Sequence, residues 1–194
     1  MQTRLRDARR VFAKDDVRAL ARRYCITNGF DGTLTTIGVV IGAYLGGITE
    51  GLTVIGIGLG AAVGLGTSGI WSVWEIERAE TSRQQEELEQ AMLTSLDGTQ
   101  LTRDLRSEQI VLALSSAAGP VVAVTVMLIP FLWVDRFYAM FGAVLFSILI
   151  GISILTLAGA YMGSISRQRW YVAAFRMGLA GIVVTIISLL LPGQ

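Results

Sequence analysis

One carboxylate, Asp31, stands in the stretch "NGFDGTLTTIGVVIGAYLGG" (residues 28–47), which is otherwise free of charge, as is the chain on to Glu50. A second set of carboxylates, Glu77, Glu80, Glu86, Glu87 and Glu89, falls within "EIERAETSRQQEELEQAMLTSL" (residues 75–96). There is no histidine, and Cys25 is the single cysteine. Serine–histidine triads, histidine-based zinc sites, imidazole proton shuttles and intrachain disulfides are therefore excluded within the chain. The tetrad "GTSG" (residues 66–69) imitates the GxSG stretch of serine intramembrane proteases, but Ser68 has no base to activate it. An aspartyl intramembrane protease needs two carboxylates at membrane depth, one protonated and one ionised, and Asp31 has no intrachain companion of that kind. A GxxxxGK[ST] phosphate loop is also missing. The inventory argues against an enzyme and calls for no cofactor.

What the chain can offer a ligand is oxygen and soft sulfur: carboxylates, carbonyls, hydroxyls, Cys25 and the thioethers of Met127, Met140, Met162 and Met177. Carboxylate and carbonyl ligands suit magnesium, calcium, manganese and, less selectively, ferrous iron. At about 100° per residue, Glu77, Glu80 and Glu87 share one narrow sector of a helix, and Glu75, Glu86 and Glu89 share another. Like charges one turn apart repel by roughly 0.2–0.5 kcal/mol per pair, which a bound cation relieves. Arg78 and Arg83 relieve it equally well if the helix is merely solvated.

The elements that must position these groups follow from composition. Of 194 residues, 53% are hydrophobic and 16% charged, a balance of the membrane class. Crossing the hydrocarbon takes roughly 20 apolar residues. Residues 24–49 carry one charge, Asp31; 51–74, 109–134 and 137–166 carry none; 170–192 carry one, Arg176. The expected fold is an all-α integral membrane protein with five transmembrane helices. The chain divides into a basic arm (1–23), spans one and two (24–74), an acidic helical extension (75–108) and spans three to five (109–192). The extension reads as one helix running out of the second span and stopping at Asp97–Gly98. Of the 16 basic residues, all but Arg136 fall on one side of this topology. That bias places the N-terminus in the cytosol and the C-terminus opposite. The first 20 residues lack a signal-peptide core, so the first span is expected to stay in the mature protein. The basic arm suits anionic lipid rather than nucleic acid.

Gly38, Gly42 and Gly46, and again Gly56, Gly60 and Gly64, recur every four residues. That spacing lets helix backbones approach closely, and glycine-rich spans can also line a solute path. Asp31 itself has three readings. It caps a helix starting at Gly32, aspartate being a favoured N-cap; it pairs with Arg176, which lies at matching depth; or it faces a polar path. A carboxyl group at that depth can hold a proton or a metal in turn, because desolvation favours its neutral form and a neighbouring cation its ionised form. That exchange is what an antiporter requires.

Three segments together resemble the vacuolar iron transporter family: "NGFDGTLTTIGVVIG", the glycine-rich second span running into "EIERAETSRQQEELEQAM", and "AGAYMGSISRQRWYVAAFRMGLAGIVV". The resemblance covers most of residues 24–192. It implies five spans, a homodimer, and export of ferrous iron or manganese from the cytosol in exchange for protons. It also implies that Asp31, followed by Gly32, lies in the translocation path and that Glu80, Glu86, Glu87 and Glu89 collect metal. The stretch "GLGTSGIWSV" lacks the methionine and Gly-Glu pair frequent in the family's second span, Leu65 and Gly69 standing near those places, and the acidic insert is short.

The expectation is thus a metal exporter of the cell membrane or a vacuole-like membrane. Asp31, Glu77, Glu80, Glu86, Glu87 and Glu89 are its metal-handling residues, with protons, lipid and a second copy of the chain as partners. The alternative is a non-transporting membrane module whose acidic helix binds a protein or lipid. A carrier for an organic solute or anion is a third reading.

Overall fold

The computed structural model describes residues 15–93, 99–134, 139–166 and 169–191. These form five helices and, among the described residues, no strand: α1 (Asp15–Leu45), α2 (Gly51–Met92), α3 (Gln100–Leu128), α4 (Met140–Ile165) and α5 (Trp170–Leu190). A 3-10 turn, Ile129–Trp133, follows α3 and buries Pro130 and Phe131. The expectations placed on residues 1–14, on Arg136, on Arg167 and on Gly98 lie outside the described residues.

Four helices are long and apolar enough to cross a membrane: α2, α3 with its 3-10 turn, α4 and α5. Their outer faces expose large apolar side chains, among them Leu52, Val63, Trp71, Leu157, Phe175 and Leu190. An apolar surface of that extent suits lipid rather than water. The fifth expected span, α1, is diluted by Thr27, Asn28, Asp31, Thr33, Thr35 and Thr36. It is also the helix that packs against all four others, so much of its polarity meets protein. Thr33 and Thr36 are buried and return their hydroxyl protons to the carbonyls of Gly29 and Gly32, at 2.8 and 2.7 Å.

The crossing of α1 and α3 is backbone on backbone. A Cβ on Gly32 would lie 2.7 Å from both Cα and Cβ of Pro120, and one on Gly119 would run into the Cys25 carbonyl oxygen. Pro120 sits inside α3. Having no N–H, it leaves the Ser116 carbonyl without its helical donor, and no water exists at membrane depth to replace it. The Asn28 side chain does so, donating from Nδ2 to Ser116 O at 3.1 Å. Gly69 of α2 makes room for this contact, because its Cβ would stand 3.3 Å from Asn28 Nδ2. Three helices therefore lock at one level through one carboxamide.

The packing glycines are not the ones the four-residue spacing singles out. Gly58 and Gly66 of α2 lie under Leu128 and Val121, whereas Gly42, Gly56, Gly60 and Gly64 would have nothing within 4 Å of an added Cβ. The α4–α5 pair closes in the same glycine-on-backbone way, Gly159 against Ala173 and Gly163 against Trp170. α2 is one unbroken helix of 42 residues, about 63 Å at 1.5 Å per residue, roughly twice the hydrocarbon thickness. It carries the acidic segment out of the apolar layer, as expected, but ends earlier than the sequence suggests. Leu93 adopts a left-handed φ of 53° and caps it, before the Asp97–Gly98 pair is reached.

Gly32→Ala should cost about 1–3 kcal/mol of stability through overpacking against a rigid backbone. Asn28→Ala should cost a similar amount, about 1–3 kcal/mol, by orphaning the Ser116 carbonyl. Gly60→Ala should stay within about 0.5 kcal/mol of the parent. Thermal unfolding of the detergent-solubilised protein measures all three.

Candidate functional site

Helix α1 runs without a break from Asp15 to Leu45, so Asp31 occupies a mid-helix position. The helix-capping reading is thereby removed: no helix begins at Gly32. The pairing reading fares no better. Ile37 and Gly181 meet across α1 and α5, a Cβ on Gly181 lying 3.7 Å from Ile37 Cδ1. Counting back six and five residues puts Asp31 and Arg176 within about 2 Å of the same depth. Those steps turn each side chain away from the shared contact, and both residues are exposed. Among the described residues Asp31 forms no ion pair and no side-chain hydrogen bond.

Its polar and glycine neighbours in the motif have packing roles. Asn28 completes α3, and Gly29 and Gly32 admit Gly119 and Pro120. Asp31 points off the other side of α1, along the exposed Thr27, Thr35 and Gly42. A face of small and hydroxylated residues around a single carboxylate is thus left open on the outside of one chain.

Tyr24 lies seven residues before Asp31, which is two turns and nearly the same azimuth, about 10 Å along the axis. Its hydroxyl donates to Glu77 Oε1 at 2.7 Å. This contact fixes Glu77 against α1 where α2 leaves the apolar layer, on the same face of α1 that carries Asp31 further in. Val17, Ala21, Val73, Leu112 and Ala113 pack beneath it, with Tyr24 and Trp74 against them, and hold the three helices together at this end.

The remaining acidic residues separate. Arg83 is bracketed by Glu80 and Glu87, at 3.5 and 3.4 Å, and Arg78 is 4.0 Å from Glu75. Glu89 accepts from Gln85 Nε2 at 3.0 Å, and Glu86 is exposed. Among the described residues of one chain, no three His, Cys, Asp or Glu side chains converge closely enough to hold a metal ion. Of the residues singled out in the sequence, Glu77 alone is tied to α1, and Asp31 stands apart from the glutamates. Tyr24 and Asn28 went unnoticed in the sequence. Their spacing of seven and three residues from Asp31 was the available signal.

No protein-family model matches the chain. It is 26% identical over 172 residues, 87% of each chain, to the uncharacterized protein MJ0645 of Methanocaldococcus jannaschii. No solved structure matches.

Proposed function

We propose that the chain is a five-span carrier that exports a divalent metal, ferrous iron or manganese, from the cytosol in exchange for protons, and that it works as a homodimer. The observation that supports this is the division of labour in "NGFDG". Asn28, Gly29 and Gly32 are used up by helix packing, Phe30 lines an apolar pocket with residues of α3 and α4, and Asp31 is the polar member without a partner among the described residues. A carboxylate at the centre of a span costs roughly 2.5–3.5 kcal/mol on insertion scales, and such residues face interiors or water-filled paths. In a single chain Asp31 faces outward, so the path needs a second wall. Gly42 on α1 and Gly56, Gly60 and Gly64 on α2 are open and allow another copy to approach closely. Glu77, held by Tyr24, marks the mouth; Glu80, Glu86, Glu87 and Glu89 raise the local cation concentration outside it.

The ion pairs of Arg83 with Glu80 and Glu87 favour a second reading for the extension, a solvated helix that binds a protein or lipid partner in a module that does not transport. Exchanging the charges at Asp31 and Arg176 separates the two. A structural pair recovers stability in the Asp31→Arg, Arg176→Asp double variant, whereas a metal path stays inactive.

Asp31→Ala should lower metal efflux from loaded vesicles by about 100-fold or more, at the upper end of what disturbing a metal site costs, with membrane insertion and unfolding temperature unchanged. Normal efflux in this variant would end the proposal. Gly60→Leu should shift the protein from dimer toward monomer in sedimentation or cross-linking experiments without unfolding it. A Gly60→Leu protein that remains dimeric would remove the glycine face from the interface.

A further inference from the structure

Between the outer part of α2 and the start of α3 lies a cavity of about 480 Å³. One face of α2 lines it with Arg78, Thr81, Ser82 and Gln85, and α3 closes it with Arg106 and Gln109. Trp74 also lines it, at the last position of the uncharged run of α2. The acidic extension carries nine carboxylates against four arginines over residues 75–108, yet no carboxylate lines this cavity and two guanidiniums do. Positions 74, 78, 81, 82 and 85 share one face of α2. Glu77 is drawn to Tyr24 and Glu80 and Glu87 to Arg83, while Glu75 stands at the edge of that face 4.0 Å from Arg78 and Glu89 continues it one turn beyond Gln85, from which it accepts.

Gln109 is a second and independent sign. It is 8% exposed, lines the cavity, and makes no side-chain hydrogen bond among the described residues. Its amide is not sealed off, Ser147 Oγ being the one side-chain polar atom among the described residues buried without a partner, so the carboxamide opens onto the cavity. Arg106 likewise has no ion pair among the described residues, and the one partner of Arg78, Glu75, is 4.0 Å away with both side chains more than half exposed. Ser82 spends its proton on the Arg78 carbonyl at 2.9 Å. The donors left facing the cavity are therefore two guanidiniums, the Gln109 amide and the Thr81 hydroxyl. Such a set, with no carboxylate among the lining residues, recognises an oxyanion.

We infer that this cavity binds a phosphate group, with Arg78 and Arg106 on its oxygens and Gln109 as the neutral donor. Its volume falls within the range of small-ligand sites. Its one aromatic lining residue, Trp74, is of a type that concentrates at the headgroup level of a bilayer, so the phosphate can arrive on a lipid or in solution. Both sources present the same chemistry.

The test uses the full-length purified protein. Unfolding temperature is followed in detergent with added inorganic phosphate or glycerol 3-phosphate, against chloride at equal ionic strength. It is followed in parallel in bilayer discs of phosphatidylcholine alone or with phosphatidic acid. Stabilisation in the first series identifies a soluble ester, in the second a lipid headgroup, and either supports the inference. Arg78→Gln and Arg106→Gln should each weaken the apparent affinity by about tenfold, the worth of one charge-assisted hydrogen bond. Gln109→Leu should weaken it less. Without phosphate the arginine variants should unfold no earlier than the parent, because Arg106 has no ion pair among the described residues and the pair of Arg78 with Glu75 is long and exposed. Arg83→Gln makes the same charge change off the cavity and should bind as the parent does. Absence of phosphate-specific stabilisation in both series, a cavity filled by water only, overturns the inference. So does a loss in Arg83→Gln equal to that in Arg106→Gln.

Discussion

Proline at position 120 leaves the Ser116 carbonyl without its helical donor at a depth where water is absent, and the Asn28 carboxamide supplies the missing hydrogen bond. For that bond to form, α1 and α3 must touch through their backbones, which is why glycine stands at 29, 32 and 119. α2 must also present no side chain at 69. Once these three helices are locked, the azimuth of every other residue on α1 is set. Asp31, one turn on from Asn28, is turned away from α3. Tyr24, one turn before Asn28, meets Glu77 on α2. The position of the single carboxylate in the bundle is thus a consequence of a packing defect and its repair.

Much of this was legible in the sequence. The apolar runs mark the four helices that suffice to cross a membrane, and the absence of glycine and proline in residues 75–96 foretells that α2 continues as one rod. Hydropathy serves α1 less well, because polar residues that pack between helices count against a helix as though they met lipid. Depth along a helix is also readable: Asp31 and Arg176 do lie at one level. Azimuth is not, since it depends on which side of each helix its neighbours choose, and these two residues look in different directions.

The same limit explains the glycines. A four-residue repeat announces a smooth face and does not say what the face is against. Within the chain, close approach is made at Gly58, Gly66 and Gly69 on α2, on the buried face they share with Val54, Ala62 and Val73. The regular stripe, Gly56, Gly60 and Gly64, is left over. Helix ends follow a related logic: the Asp97–Gly98 pair has the chemistry of a stop signal, but Leu93 takes the left-handed conformation first.

The acidic extension carries less of the functional argument than its charge suggests. The ion pairs of Arg83 are exposed, with Glu80 and Glu87 about half and two-thirds accessible, and pairs of that kind contribute about 0–1 kcal/mol. A divalent cation would displace Arg83 at little cost, so the pairing neither builds the helix nor closes it to the proposed metal. At Asp31 the balance is different. On the proposed reading of α1 as a fifth span, a guanidinium partner in the hydrocarbon would have satisfied the carboxylate and could not have been displaced cheaply, since breaking a buried pair costs about 3–5 kcal/mol. Arg176 stands at the right depth to be that partner and is not. The unpaired state of Asp31, rather than the number of glutamates above it, is therefore what weighs toward a cation path.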